Sequence, residues 1–412
     1  SQNGAGVRSG EDAANAACAM KLQDILDDAG DKVEDGPLDA AVVKVAGYTD
    51  GDFVYHANTL SSTINPQSYS YVIPEGVTLM GGYFEGTFTG GNYNNDGWDN
   101  ADDDHKRDPM AYRTVLSAVA VPAQGSTVTQ EVQGYHAVTF GAWPGTETLS
   151  KEAVIDGVWL TDGSATSMAG TGNPATMGGG AIVPAGAHVR NCVVSGCEAV
   201  NGGGLYLMAG GTVSGTAIIG NTATASGGGI YADNGNAADG KRAHIISCTI
   251  ADNEATTEGG GLRLEDGAAM SLNTVIWGNT APQDKNVGGV ATKRFADTMW
   301  NNVFGEKAGG YFPFNDCFVE SLELPSDFTN SSMESDSAIY FTDSYRRLKE
   351  FSPLIKHGTL ADYQDGLQTE FGVAAQDMQG IDRAQVNMAR LDAGAFAYDG
   401  GVLPTDLFTR LF

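Results

Sequence analysis

Gly202-Gly203-Gly204-Leu205-Tyr206 and Gly227-Gly228-Gly229-Ile230-Tyr231 are two copies of one unit. The same glycine triplet followed by an aliphatic residue stands at Gly178-Gly179-Gly180-Ala181-Ile182 and Gly259-Gly260-Gly261-Leu262, with a weaker copy at Gly288-Gly289-Val290. The starts are 24, 25, 32 and 29 residues apart. Self-similarity at this period marks a solenoid, whose repeats are each too small to bury an apolar face alone and must stack on their neighbours.

The repeat has a second half. An aliphatic residue followed three positions later by Asn recurs at Ile218-x-x-Asn221, Ile250-x-x-Asn253 and Ile276-x-x-Asn279, with divergent copies at Val194-x-x-Cys197 and Leu160-x-x-Gly163. Two residues before each aliphatic stand Thr216, Cys248, Thr274, Cys192 and Val158. This period-two alternation over a few residues, ended by a corner, is the pattern of short strands. Coils of that length built from short strands and glycine corners predict an all-β fold, a right-handed parallel β-helix. The triplets supply the positive-φ corners, and the stacked Asn residues satisfy buried backbone groups by tolerating the left-handed conformation and bonding their own turn.

Composition agrees. Glycine, 56 of 412 residues, is about twice its usual share, proline is sparse at 13, and 42% of the chain is hydrophobic. The charge, 23 basic against 51 acidic residues, is −28. Such a surface repels phosphate backbones and disfavours nucleic acid and anionic lipid alike; cations and neutral sugars are easier partners. No apolar run reaches the roughly 18 residues of a transmembrane segment. Ser1-Gln2-Asn3-Gly4 has no basic or apolar leader behind it, so the chain reads as an exported protein whose signal has been removed. The five cysteines (Cys18, Cys192, Cys197, Cys248, Cys317) have no CxxC spacing. Cys192 and Cys248 fall two coils apart, farther than the about 7 Å limit for a disulfide, so they are expected as reduced, buried thiols.

On these units the chain resembles the repeats of bacterial polymorphic outer-membrane proteins and related surface-exposed, pectate-lyase-like β-helix proteins. Ile73-Pro74-Glu75-Gly76-Val77-Thr78-Leu79-Met80-Gly81-Gly82-Tyr83, Arg107-Asp108-Pro109, Thr114-Val115-Leu116-Ser117 and Val154-Ile155-Asp156-Gly157-Val158-Trp159-Leu160 look like the first coils of that group. Ser352-Pro353-Leu354-Ile355, Asp377-x-x-Gly380-x-x-Arg383 and Leu391-Asp392-Ala393-Gly394-Ala395-Phe396 look like its closing segment, with Asp392 and Arg383 as a structural ion pair. The match runs from about residue 40 to 398 and concerns architecture. It implies a bacterial protein that is secreted or held at the outer membrane or cell surface.

The expected organisation is a single domain: an N-terminal cap over 1–40, coils over 41–304 with an insertion at 84–110, and irregular final coils and a closing segment over 305–412. In the cap, Ser9-x-x-Asp12 resembles a capping box. Ala14, Ala17, Leu22, Ile25, Leu26 and Ala29 make a helical apolar stripe, and Gly30 suits the end of a helix over 11–29. Loops are expected at 164–177 and 233–242.

Three chemistries have candidate residues. Asn92, Asn94, Asp96, Gly97 and Asp103 occupy positions 1, 3, 5, 6 and 12 of a calcium loop, although Asn replaces Asp at the first and Asp replaces Glu at the last. For glycans, the residue after each Gly-Gly-Gly-aliphatic is expected to point outward: Val183, Tyr206, Tyr231, Arg263 and Ala291. Tyr206, Tyr231 and Arg263, with Glu265 two residues on, would form an exterior row that offers aromatic faces and charged groups to a polysaccharide or a host or cell-surface glycan; the alternative is a tyrosine stack with a purely structural role. Trp159 and Trp277 are expected outward under loops. Polysaccharide lyase or glycoside hydrolase chemistry is raised by the fold alone. No catalytic residues are assigned: no outward carboxylate pair repeats through the coils, Asn279-Thr280 is followed by Ala281, Lys293-Arg294 stands outside any acidic cluster, and no Gly-x-Ser-x-Gly occurs. A non-enzymatic binding, adhesion or structural module without a required cofactor is the expected function, and a carbohydrate-active enzyme is the alternative.

Overall fold

The computed structural model describes residues 22–36, 38–47, 53–56, 59–60, 70–84, 107–122, 131–142, 145–167, 173–233, 242–265 and 268–289, with 314–315, 318–319, 358–359, 377–378, 390–391 and 395. Among the described residues, apart from one N-terminal helix and a short 3-10 turn, the regular structure is β. Two eight-stranded sheets and one of seven strands take their strands in turn from successive coils. One coil runs through Ala187–Arg190 in the first sheet, Val193–Ser195 in the second, the short Glu198–Asn201, and Leu205–Leu207 in the third. The next begins at Thr212–Ser214, beside the strand where the previous one began. Every strand pair within these three sheets is parallel. The solenoid of parallel sheets follows the repeat.

Parallel register puts like on like. In the first sheet Leu79, Ile155, Val189, Val213 and Ile245 stack inward, and in the second Leu116, Leu160, Val194, Ile218, Ile250 and Ile276 do. All are fully buried. Each such side chain contributes about 1.5–3 kcal/mol of apolar burial. Between these sheets Cys192, Thr216, Cys248 and Thr274 line the interior as expected, with the Thr216 hydroxyl accepting from the Cys192 amide and that of Thr274 from the Cys248 amide. Cys192, Cys197 and Cys248 are free and buried; Cys18 and Cys317 lie outside the described residues.

The Asn residues form a continuous ladder, built differently from the expected self-bonded turn. The Asn253 carboxamide oxygen accepts from the Asn221 amide at 2.9 Å and from its Nδ2 at 3.0 Å, while Asn253 Nδ2 donates to the Ile218 carbonyl at 2.9 Å. Asn279 repeats this toward Asn253, with its Nδ2 donating to the Ile250 carbonyl at 3.0 Å, and the Asn286 carboxamide oxygen accepts from the Asn279 amide and Nδ2. The left-handed conformation falls to the preceding residue, with φ of 66° at Gly220, 57° at Asp252 and 66° at Gly278. Each Asn thereby bonds the neighbouring coil. The first glycine of each full triplet also has positive φ (54° at Gly178, 68° at Gly202, 71° at Gly227, 63° at Gly259). A Cβ on Gly227 would lie 2.6 Å from the Ile230 carbonyl oxygen.

The cap differs in extent. The helix covers Leu22–Glu34 and passes straight through Gly30. Gly30 is needed for contact, since a Cβ there would stand 2.6 Å from the Pro74 Cβ. Leu22, Leu26, Ala29 and Val33 bury the apolar stripe on the first coils. Gln23 serves the edge strand Tyr71–Ile73, accepting from the Val72 amide at 2.9 Å and donating to its carbonyl at 3.0 Å, which occupies pairing groups that an exposed edge would present. Ser9, Asp12, Ala14 and Ala17 lie outside the described residues. At the other end, Met378 and Ala395 pack on the outer face of the second sheet with Trp159, Val193, Ala217, Ile219 and Ala251. The Ala395 amide donates to the Thr249 hydroxyl at 2.9 Å. The closing segment thus reaches along the outside of the coils. Arg383, Asp392 and residues 403–412 lie outside the described residues. Among the described residues, no helix is long and apolar enough to cross a membrane.

Asn253→Ala strands the Asn221 amide and the Ile218 carbonyl in the interior, at about 1–3 kcal/mol each. A urea titration is expected to show a loss of about 2–5 kcal/mol; a loss below about 0.5 kcal/mol would show that the ladder is not needed. Burial pushes the Cys192 and Cys197 thiols up to about 12, so in native protein at pH 8 a disulfide reagent should leave both unmodified until denaturant is added.

Candidate functional site

The third sheet carries the predicted row. Its strands Ala181–Val183, Leu205–Leu207, Ile230–Ala232, Leu262–Leu264 and Val287–Gly289 stack in that order. Ile182, Tyr206, Tyr231, Arg263 and Gly288 stand opposite one another. Tyr206, Tyr231 and Arg263 are therefore brought together on the outer side, as expected, but both ends of the row differ. Val183 pairs with Leu207 and is wholly buried, because Ala181, not Ile182, fills the inward position after the first triplet. At the far end Gly288 occupies the place expected for Ala291, because Val287 is the inward residue there; Ala291 is outside the described residues.

Parallel stacking turns each ring toward its neighbour. The Tyr206 and Tyr231 rings lie 5.3 Å apart at 7°. One face of each is used by the other, and Tyr206 is only 5% exposed. The polar edge is fixed as well. Tyr206 donates to Asp233 at 2.6 Å, Tyr231 to Glu265 at 2.6 Å, and Arg263 Nε to Glu258 at 2.7 Å. Asp233 and Glu265 hold equivalent positions, each two residues beyond the row on adjacent coils, so each hydroxyl reaches the carboxylate of the coil ahead. Burial first, and then the hydrogen-bonded carboxylate, raise both tyrosine hydroxyls well above their ordinary range. Sequence reading found Glu265 and missed Asp233 and Glu258; the equal Tyr231-to-Asp233 and Arg263-to-Glu265 spacing was the available signal.

A second polar group covers the outer face of the first sheet. Asp156, 2% exposed, receives Arg107 at 2.5 Å on one oxygen and Arg190 Nε at 2.7 Å on the other. Arg107 also donates to the Gly81 carbonyl at 2.7 Å. Together with the Asp108 amide bond to Gly82, this pins the end of the expected 84–110 insertion to the coils from residue 107. Trp159 lies beneath that turn, with Nε1 3.4 Å from the Pro109 carbonyl and the Arg113 guanidinium 4.6 Å above its ring. Trp277 is buried as well. On the same face His188 Nε2 lies 2.7 Å from the Ser214 hydroxyl, and His188 Nδ1 lies 3.5 Å from Glu152 Oε1.

The calcium candidates Asn92, Asn94, Asp96 and Asp103 lie outside the described residues, as do Lys293 and Arg294. Among the described residues there is no group of three or more His, Cys, Asp or Glu side chains arranged to hold a metal ion. Compared with protein-family models, with curated proteins and with solved structures, the chain has no match.

The Tyr206–Tyr231 pair makes stability depend on alkaline pH. Unfolded tyrosines release their protons near the ordinary value of 10.0, whereas the folded ones keep them. This contribution is complete below pH 10 and is lost as pH rises through the raised folded range. Tyr206→Phe should cost about 1.5–3 kcal/mol at pH 7 and should flatten the fall of the denaturation midpoint above pH 10. An unchanged alkaline slope would show that Tyr206 does not carry it.

Proposed function

We propose that the chain is a right-handed parallel β-helix of the pectate-lyase-like kind seen in bacterial surface proteins. It is exported, either secreted or associated with the outer membrane or cell surface. In-register parallel sheets and a glycine-cornered repeat support the architecture, and the strong preference of parallel crossovers for one hand supports the right-handed sense. At the Tyr206–Tyr231–Arg263 row it is a non-enzymatic binding or structural module whose ligand is a polysaccharide or cell-surface glycan.

The observation that carries this reading is the fixed polar edge of the row. A sugar meets carboxylate oxygens of Asp233, Glu265 and Glu258, held in place by Tyr206, Tyr231 and Arg263. Stacking consumes the ring faces, so recognition proceeds mainly by hydrogen bonds to hydroxyl groups, with the outer part of Tyr231 and the Arg263 stem as apolar contacts. The charge of −28 selects neutral over anionic glycans.

One arrangement favours the second reading, a glycoside hydrolase. Asp233 and Glu265 stand on adjacent coils, a backbone spacing of about 4.8 Å, near the roughly 5–5.5 Å between carboxylates in retaining enzymes. The tyrosine hydroxyls, however, bind oxygens that a general acid and nucleophile would have to turn toward substrate. Binding without turnover is the reading better supported.

A glycan array with wild type, Tyr206→Ala/Tyr231→Ala and Glu265→Gln separates the two. Binding to neutral glycans that drops at least about tenfold, roughly 1.4 kcal/mol, in both variants is expected. Unchanged binding removes the platform. Release of reducing sugar by wild type but not by Glu265→Gln favours the hydrolase.

A further inference from the structure

We propose that Tyr206 and Tyr231 are a site of covalent modification: a one-electron oxidant joins their rings through a carbon–carbon bond, a dityrosine that fastens two adjacent coils. Such coupling uses the ring faces, which the glycan reading leaves aside, so either can fail without the other. Leu205–Leu207 and Ile230–Ala232 are neighbouring parallel strands, and Tyr206 stands directly opposite Tyr231. Their backbones are thus held about 4.8 Å apart. The ring planes differ by 7° and the centroids lie 5.3 Å apart, as in an offset stack. Offset stacking lays the edge of one ring over the face of the other and brings their carbons within reach. The sheet therefore keeps together two reacting groups that free in solution would have to meet.

Oxidising a phenol removes a proton as well as an electron, and each ring has its own acceptor for that proton. The Tyr206 hydroxyl donates to Asp233 and the Tyr231 hydroxyl to Glu265, both at 2.6 Å. The charged groups facing the pair are Asp233, Glu265 and Arg263, the last tied to Glu258. Burial and the two carboxylates keep both phenols protonated through neutral pH, so the protons pass to the carboxylates as the electrons leave. Two separate acceptors let both rings be oxidised without sharing one. Tyr231 is partly exposed, while Tyr206 is only 5% exposed. Electron transfer needs no open cavity. A Tyr231 radical draws the electron of Tyr206 through the stack, and Tyr231 is then oxidised again at the surface.

Atoms and electrons balance with the oxidant. Each tyrosine gives one electron to the oxidant and its hydroxyl proton to its carboxylate, leaving two neutral phenoxyl radicals. Their unpaired electrons, shared with the ring carbons ortho to oxygen, pair to form one Cε–Cε bond. Each bonded carbon then loses its hydrogen as a proton and each ring oxygen regains one, which restores two phenols. The pair has thus lost two electrons and two protons. A peroxidase-type oxidant uses them to convert hydrogen peroxide into two waters. The new bond ties residues 25 positions apart in the chain and, like a disulfide, restricts the unfolded state.

The intact chain, diluted so that molecules rarely meet, is illuminated with tris(bipyridyl)ruthenium(II) and persulfate, which removes electrons singly and ends as sulfate. Peptide mass analysis is expected to find the Tyr206 and Tyr231 peptides linked and lighter by two hydrogens. The monomer should show dityrosine fluorescence and an upward shift of its urea midpoint. Tyr206→Phe and Tyr231→Phe, checked for folding by circular dichroism, should each abolish the linked pair. Asp233 is a positioning residue that takes a proton. Asp233→Asn should slow linking near pH 7 and make its rate climb with pH, because solvent base then replaces the carboxylate. An unchanged rate and pH profile overturns the part given to Asp233. Folded wild type whose two tyrosine peptides stay unlinked, or are linked only to other tyrosines or between molecules, overturns the proposal.

Discussion

Hydrogen bonding at the buried corners is the constraint on which this architecture depends. A strand of three residues ends almost as soon as it begins, so every coil turns repeatedly and leaves amide and carbonyl groups facing an interior without water. Orphaned groups there would cost more than the short strands gain. Asn221, Asn253, Asn279 and Asn286 answer this collectively. The carboxamides of Asn221, Asn253 and Asn279 each join the coil behind to the coil ahead, and that of Asn286 receives the last of them, so a side chain works as an extra rung of backbone. Inward Thr216 and Thr274 do similar work for the cysteine-bearing strands between the first two sheets. The apolar layers supply most of the burial energy, but these polar ladders set which coil sits on which.

Much of this was legible before any coordinates, because a stacked fold repeats its physical demands. Ile218, Ile250 and Ile276 fill the same inward position, and the pattern placed Cys192, Thr216 and Cys248 correctly behind them. Phase was harder to read where a copy was imperfect. Ala181 looked like a spacer before Ile182, yet the methyl group is what that inward position holds, and the whole strand shifts by one residue. Gly30 was misread for a different reason. Glycine at a helix end and glycine where a helix packs closely on a turn between strands look alike in sequence, and Pro74, 44 residues away, decides between them.

The candidate sites were legible only where they coincided with the repeat. Tyr206, Tyr231 and Arg263 follow triplets and so declare their common row. Their partners Asp233 and Glu258 sit at coil edges, where loop length varies and letter-by-letter alignment fails. The polar contacts of His188 with Glu152 and Ser214 run diagonally across the first sheet and were invisible for a geometric reason: neighbours on a diagonal differ by one coil plus or minus a step along the strand, and coil lengths are unequal. A periodic search finds columns and overlooks diagonals.

The packing of Met378 and Ala395 against the second sheet bears on how the molecule comes apart. A bare solenoid is close to a one-dimensional chain of units, able to fray from either end one coil at a time. Here Met378 and Ala395, which follow the last described strand of the second sheet at Phe318–Val319 by 59 and 76 residues, grip several coils from outside, with Ala395 bonded to Thr249 across 146 positions. Peeling the last coils cannot proceed far while this grip holds, and the grip itself cannot form until the middle coils exist. Such a fastening shifts the molecule from gradual unzipping toward all-or-none rupture. Under a pulling force along its axis, the chain would yield late and then abruptly.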